Sequence, residues 1–528
     1  MRIKKSQWAT WQITWQAFLQ RPVIIMFFLG FSAGLPLLLI FSSLSLWLRE
    51  AGLARETVTY FSWAALGYSF KFVWAPLVDQ LPIPGLTHWL GKRRAWLVLA
   101  QITVMIAIIS MAAIDPSREG LILMALAAVL LGFASATQDI AIDAYRIESA
   151  PANLQALMSS TYIMGYRLAM FVSGAGALYL ADFFGSDIGQ YQYGAWQKTY
   201  WLMAAMMLVG LVTTLMIDEP EQTRQPVDKP IADSGRFFLL FSVVVTMFVT
   251  VLYWTADPNF KAILFQVMAM TEHSPFGQFF WEVLRFSVAV LLAWFVGKGM
   301  TRLHLVPTYL VEQTYIVPVR AFFERYGMGL AWLLLALIGL YRISDIVLGV
   351  ISNVFYQDLG FSKSEIASVV KTFGVAMAII GSVIGGIFAV RYGVMRILLL
   401  GAILSAVTNL LFVALSLIGK DLYWFTVIVA ADNLAAGLAN AAFIAFLSQL
   451  TNIRFTAMQY AIFSSLMTLL PKLLGGYSGG MVDGLGYNYF FGLTSVLGIP
   501  VIILIIVAGN KLKQQLTTKP AVITAGFE

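Results

Sequence analysis

The chain has 528 residues, of which 59% are hydrophobic and only 12% charged, with a mean hydropathy of +0.80. Soluble domains carry roughly one quarter charged residues, so the composition excludes a water-soluble globular protein and points to a membrane one. The net charge of +7 comes without a basic cluster in any soluble stretch, which excludes a nucleic-acid surface, and with no cysteine there is no disulfide, thiolate metal site or thiol nucleophile.

Apolar runs of about 20 residues, the length that crosses ~30 Å of hydrocarbon as a helix, recur along the chain without the alternation of a spanning barrel. The basic, amphipathic N-terminus MRIKKSQWATWQITWQAFLQRP precedes a segment too long for a signal peptide and without a small-residue cleavage site, so it is expected to be retained. Spans are predicted at 22–48, 58–80, 94–114, 119–148, 154–182 and 196–217, which make a first six-helix bundle over 1–217. The stretch DEPEQTRQPVDKPIADSGR, residues 218–236, has three prolines and mixed charges and reads as a cytoplasmic linker. Residues 237–327 add two spans, 237–256 and 281–298, and a connector that mixes aromatics with bases, predicted to be an interfacial amphipathic helix. A second bundle over 328–528 holds spans at 328–357, 363–391, 394–418, 422–450, 456–483 and 488–510, fourteen in all. Lys and Arg concentrate in the loops on the side of the two termini, which predicts that both are cytoplasmic. His88, His273 and His304 fall in predicted loops, so neither a haem nor an intramembrane histidine relay is expected.

The two bundles are related in sequence. A shift of 305 matches Ser159 with Ser464, Ser160 with Ser465, Arg167 with Lys472, Ser173 with Ser478 and Gly174 with Gly479; near the start of each half a shift of 308 pairs Gly52 with Gly360 and Arg55 with Lys363. Parallel six-helix repeats turned about an axis along the membrane normal are the architecture of the major facilitator fold. The expected fold is therefore an all-α membrane protein, two six-helix bundles with two extra transmembrane helices between them.

An ionisable side chain deep in a span costs at least about 2.5 kcal/mol and faces a wet cavity or a partner. Lys71, Arg167, Arg342, Asp345 and Lys472 lie near the centres of their spans, Lys371 nearer the external side and Asp139 nearer the cytoplasmic side. Bases outnumber acids there, which suits an anionic substrate. In SATQDIAIDAYR, Asp139 and Asp143 share one helix face beside Gln138 and Arg146. Asp143 is expected in water or paired with Arg146; Asp139 is either a reversible proton carrier or a fixed ion pair with Lys71 or Arg167. Arg342 and Asp345, i and i+3, either neutralise each other or meet substrate. Lys371 has no acid within one turn and is expected to contact substrate. Lys472 follows Pro471 and points either to the cavity or outwards, Arg285 is expected to snorkel, and Asp432 and Asn433 line the cavity unless Asn433 bonds a neighbouring helix. Gly381 with Gly385, and Gly475 with Gly479, are predicted close-packing faces.

Asp79 at the end of the second span, followed by Lys92, Arg93 and Arg94 before the third, resembles the acidic-then-basic signature of the loop between helices two and three in major facilitators, stretched here by LPIPGLTHWL. The resemblance implies that Asp79, Arg93 and Arg94 latch the outward-facing state, with GGIFAVRYGVMR a weaker copy in the second half. Further segments, GFSAGLPLLL, YSFKFVWAPLVD, SATQDIAIDAYR, GYRLAMFVSGAGALYLAD, RISD, VVKTFG and DNLAAGLANAAF, together resemble the anhydromuropeptide permease (AmpG) family of Gram-negative inner membranes. That family imports disaccharides of N-acetylglucosamine and 1,6-anhydro-N-acetylmuramic acid with a short peptide, from periplasm to cytoplasm, for cell-wall recycling, and proton symport is the implied energy source. Carried over by residue, the resemblance places Gln138 and Asp139 in the cavity, Asp139 as the proton-linked carboxylate, and Lys71, Arg167, Arg342 and Lys371 as partners of substrate carboxylates. Asp345, Asn433 and Tyr166 join the substrate site, with Tyr68, Tyr145 and Tyr162 as further walls for sugar rings. The implied partners are anhydromuropeptide, protons and membrane lipid, with no cofactor, metal or nucleic acid. Rival readings are a carrier of another bulky anion such as acetyl-coenzyme A, or a sensor that binds wall fragments without moving them; an enzyme is disfavoured because no intramembrane nucleophile with a paired base is present. Residues 237–325 depart from the twelve-helix pattern.

Overall fold

The computed structural model describes residues 16–53, 58, 61, 66–117, 120–186, 190–220, 231–255, 257, 275–475 and 478–518. Among these the chain is helical and no β-strand forms, as expected where lipid leaves backbone groups no partners except those within their own helix. The segments are α1 (Arg21–Glu50), α2 in three pieces (Leu66–Phe70, Lys71–Val73 and Ala75–Gln80), α3 (Lys92–Ala112), α4 (Leu121–Glu148), α5 (Ala152–Phe183) and α6 (Tyr193–Met216). Then follow α7 (Gly235–Trp254), α8 (Leu284–Arg302), α9 (Met328–Asp358), α10 (Ala367–Tyr392), α11 (Val394–Ile418), α12 (Leu422–Leu450), α13 in two pieces (Thr456–Gly475 and Ser478–Leu485) and α14 (Tyr487–Gln515).

Among the described residues twelve of these helices are long and apolar enough to cross a membrane, so the expected count of fourteen is not confirmed. The two that fall short are α2 and α13. The expected span 58–80 lies partly outside the described residues, and its described part changes from α to 3-10 geometry at Lys71 before restarting at Ala75 and Pro76, where the proline lacks the N–H that a continuous helix would use. The expected span 456–483 contains Pro471 and two residues outside the described set.

The chain divides into two compact units. One comprises Met1–Asp79, Ile83–Thr223 and Ala321–Glu528, and so holds both of the sequence-related halves; the other comprises Gln80–Pro82 and Arg224–Arg320. In the second unit α7 and α8 pack against each other, with Phe248 edge-on to Phe286 at 5.7 Å. Arg285 does not simply snorkel: its Nε donates to Thr255 Oγ1 at 3.1 Å and its Nη2 to the Leu252 carbonyl at 2.8 Å, at the end of α7. The connector expected as one interfacial helix runs as Thr308–Val311, a π-helical turn Glu312–Ile316, and Val317–Tyr326.

Within the first unit, glycine lets pairs of helices touch backbone to backbone. A Cβ on Gly165 of α5 would lie 1.9 Å from the Phe27 carbonyl oxygen of α1, and one on Gly381 of α10 would lie 2.1 Å from that of Leu434 in α12. Gly385 packs likewise against Leu438, whereas Gly479 has open space around it and the nearest atoms to a Cβ on Gly475 belong to Val350, Ile346 and Val347 of the same half, the closest at 3.1 Å, so the two predicted glycine faces differ. Both α5 and α10 contain a π-helical stretch, Val172–Gly176 and Ala367–Gly374, a local rewinding that re-aims side chains and is common at functional sites.

Candidate substrate site and the clamp between the halves

The site is built on α4, whose last turns carry the charges. Gln138, Asp139, Asp143 and Arg146 are all buried there, and α2 brings Lys71, 7% exposed, alongside. Lys71 Nζ lies 3.5 Å from Asp143 Oδ2 and Arg146 Nη2 lies 3.2 Å from Asp143 Oδ1, so one carboxylate is shared by two cations. Asp143 is therefore neither in water nor paired with Arg146 alone. Asp139, one turn earlier, feels both the Lys71 and the Asp143 charge but forms no ion pair with Lys71, and its Oδ1 is buried without a hydrogen-bond partner. Tyr68, Tyr162 and Tyr166 surround it closely enough to feel its charge, and the rings of Tyr162 and Tyr166 stand 5.9 Å apart. Tyr145 does not join them: the charges nearest to it are Asp218, Arg21, Glu219 and Arg94, at the end of the bundle that carries the termini.

The other predicted residues scatter in instructive ways. Gln138 is fully buried and donates through Nε2 to Ser32 Oγ of α1 at 2.9 Å, so it knits the first bundle together. Arg167 of α5 is half-buried, without an ion pair or hydrogen bond among the described residues, and the charged side chain that acts on it is Arg342 of α9 in the opposite half. Arg342 and Asp345 do not form a close pair; the Asp345 carboxylate accepts instead from Ser405 of α11. Asp432 accepts from Thr408 Oγ1 at 3.3 Å and feels Asp345. Asn433 donates to the Val429 carbonyl of its own helix at 2.9 Å and sits against Gly374 of α10. Lys371 and Lys472 are both exposed.

A second set of polar contacts joins the halves at the end that carries the termini. Arg93, 1% exposed, donates from Nη2 to Asp79 Oδ1 at 2.7 Å, to Glu148 Oε1 at 2.6 Å and to Thr456 Oγ1 at 2.9 Å, and from Nε to Glu148 Oε2 at 2.9 Å. Asp79 in turn accepts the backbone N–H groups of Ala457 at 3.3 Å and Met458 at 2.8 Å, at the start of α13. Thr456 also donates to Glu148. Arg94 is turned the other way, donating to the Thr214 and Leu215 carbonyls at the end of α6. The start of α3 is set by Gly91, whose φ of 82° places it in the left-handed region; its missing Cβ makes room for Glu219, which accepts the N–H groups of Arg93 at 2.7 Å and Arg94 at 3.0 Å. Deeper between the halves, Ser160 donates to the Ser382 carbonyl at 2.7 Å and Ile163 packs with Ala441 and Ile444.

Sequence reasoning singled out Asp79 and Arg93, and the structure brings them together. It missed Glu148, Glu219, Ser448, Thr456 and Tyr460, because these look like ordinary loop or helix-end residues until distant parts of the chain meet. One signal was present: Glu148 and Thr456 lie 308 residues apart, close to the 305 to 308 offset of the internal repeat.

Comparison with known proteins agrees with this architecture. Two relatives span nearly the whole chain: a putative transporter AmpG 4 of Rickettsia conorii, 28% identical over 92% of this chain and 96% of its own, and the anhydromuropeptide permease of Escherichia coli K12, 29% identical over 93% of this chain and 80% of its own. Among solved structures, the proton:xylose symporter XylE superposes with a TM-score of 0.56 at 11% identity, covering 94% of this chain and 95% of that one. The human organic anion transporter MFSD10 gives 0.55 at 13% identity, covering 92% and 99%. These structures share the fold. The family model of the Major Facilitator Superfamily matches residues 26–341 and 331–522, and with the helical fold this places the chain in the Major Facilitator Superfamily, as a multi-pass membrane transporter and not an enzyme.

Proposed function

We propose that the chain is an inner-membrane importer of anhydromuropeptides, driven by proton symport and working by alternating access, with both termini in the cytoplasm. The observation that carries this reading is a buried carboxylate, Asp139, with an unsatisfied Oδ1 among three tyrosines and beside a cation, in a chain related along nearly all its length to permeases bearing that name. Muropeptides present several carboxylates and two sugar rings. Lys71 and the half-buried Arg167 and Arg342 are cations suited to the former, and Tyr162 and Tyr166 offer faces for the latter. The clamp of Asp79, Arg93, Glu148 and Thr456 is the cytoplasmic gate, closed while the substrate site faces the periplasm. Arg94 belongs to this gate only by holding the end of α6. Asp139 takes a proton on the outer side and releases it inside. One proton crossing 100 mV supplies about 2.3 kcal/mol, enough to concentrate substrate many-fold.

The test is uptake of labelled anhydromuropeptide into sealed vesicles with and without an imposed proton gradient. Accumulation is expected only with the gradient. In the Asp139→Asn protein, gradient-driven accumulation is lost while exchange of internal for external substrate persists. Concentrative uptake by that variant would remove Asp139 from coupling.

A further inference from the structure

Arg146 sits where the substrate site and the closed end meet. Its guanidinium is fully buried, and three of its neighbours lie in different parts of the molecule. Nη2 faces Asp143 at 3.2 Å, while Nη1 donates to Ser159 Oγ of α5 at 2.9 Å and to Ser448 Oγ of α12, in the opposite half, at 2.7 Å. The same group lies 5.1 Å above the ring of Tyr460 in α13, also in the opposite half. Its Nε is buried with no acceptor, so this cation is held but not saturated. Among the described residues Asp143 is its one carboxylate partner within ion-pair reach, and Asp143 divides its charge between Arg146 and Lys71, which is 3.5 Å away on the other oxygen.

We propose that Arg146 is a positioning residue that couples occupancy of the central site to release of the closed end. An anionic group of the substrate that draws Lys71 away leaves Asp143 with Arg146 as its only close cation. The undivided carboxylate then pulls the guanidinium towards α4, breaking the hydrogen bond to Ser448 and the contact with Tyr460 that tie the two halves together. Buried charge tolerates an unpaired partner poorly, so the exchange of partners is driven by the cost of leaving Asp143 uncompensated. This deepens the importer reading and rests on it only for the identity of the anion; the relay from Lys71 to Ser448 is a property of the chain alone.

The chain contains no cysteine, so Met458→Cys, at a backbone held by Asp79, gives a single reporter whose reaction with a membrane-permeant maleimide measures opening of the closed end. In this background Ser448→Ala, which removes one hydroxyl, is expected to raise the labelling rate about tenfold, the effect of losing a hydrogen bond to a charged group. Lys71→Met is expected to raise labelling without any ligand, imitating an occupied site, and adding Asp143→Asn to it is expected to bring labelling back down. A merely structural role predicts the opposite for the double variant, since two lesions in one network would open the protein further. Labelling of Lys71→Met at the parent rate, or faster labelling of the double variant, overturns the proposal. Disaccharide-tripeptide added to the Met458→Cys protein should also raise labelling. If it does not, while the variants behave as stated, the choice of substrate fails and the relay stands.

Discussion

Replacing Arg93 by Met is the most direct test of what closes the end that carries the termini. Methionine keeps roughly the aliphatic stem of the side chain but removes every donor, so Asp79 and Glu148 lose the guanidinium that lies between them. Both carboxylates are almost wholly buried, 3% and 2% exposed at the side chain, and each lies within 2.7 Å of Arg93. Removing one partner of a buried pair costs about 3–5 kcal/mol, mostly through the charge left uncompensated. The expectation is a loss in that range in reversible denaturation of the purified protein in mixed micelles. Because the cost comes from stranded charge, Asp79→Asn and Glu148→Gln added to Arg93→Met should recover at least half of it: the amides are neutral, and the amide oxygen introduced by Asp79→Asn still accepts an N–H from the start of α13. A single variant within about 0.5 kcal/mol of the parent, the range of an ordinary surface change, would refute the assignment. A triple variant no more stable than the single one would show that the lost guanidinium packing, and not charge, dominates.

Four further substitutions separate packing from binding. Gly165→Ala should cost about 1–3 kcal/mol by overpacking, read as a lower melting temperature in detergent, because its Cβ would lie 1.9 Å from a carbonyl oxygen; Gly479→Ala, with open space around it, should leave the melting temperature unchanged. Gln138→Leu should lower stability by about 0.5–1.5 kcal/mol, the net worth of one hydrogen bond, since Ser32 Oγ keeps its bond to the Leu29 carbonyl, while leaving the dissociation constant for substrate within about twofold, since Gln138 bonds Ser32 of its own bundle; calorimetric titration checks the second part. Arg167→Gln should do the reverse, weakening substrate binding about tenfold through one lost charge-assisted contact with no fall in stability, because Arg167 has no hydrogen bond or ion pair to lose among the described residues and the charge acting on it is another arginine.

Much of the fold was legible because a membrane helix is written in one dimension: a run of apolar residues long enough to span must form a helix whatever its neighbours are. That is why α1, α3 to α12 and α14 appear where the hydropathy puts them, including the inserted α7 and α8. Legibility weakened at α2, where the helix changes geometry at Lys71 and restarts at Ala75 and Pro76, and at α13, which stays helical through Pro471 to Gly475. Among site residues, chemistry was legible and partnership was not. Asp139 and Lys71 stood out as costly charges, but which acid Lys71 would meet depends on a rotation of α2 against α4 that composition does not encode; the answer is Asp143. Gln138 and Asp139 are adjacent in sequence and face different neighbours, since successive residues on a helix point about 100° apart.

The partners that span the two halves have a pattern of their own. Glu148 meets Thr456 at a separation of 308 residues, and Arg146 meets Ser448 at a separation of 302, while the internal repeat has an offset of 305 to 308. When two similar bundles are related by rotation about an axis along the membrane normal, a residue far from that axis is carried to the opposite side of the molecule and cannot touch its counterpart. Only beside the axis are equivalent positions neighbours. Contacts near the repeat offset therefore mark the places where the end of α4 meets the end of α12 and the start of α13 beside the axis, and those are the places where a small change in the tilt of one bundle separates the partners first. A charge network that ends there, as the one from Lys71 through Asp143 to Arg146 does, acts on the joint with the least movement required of the rest of either bundle.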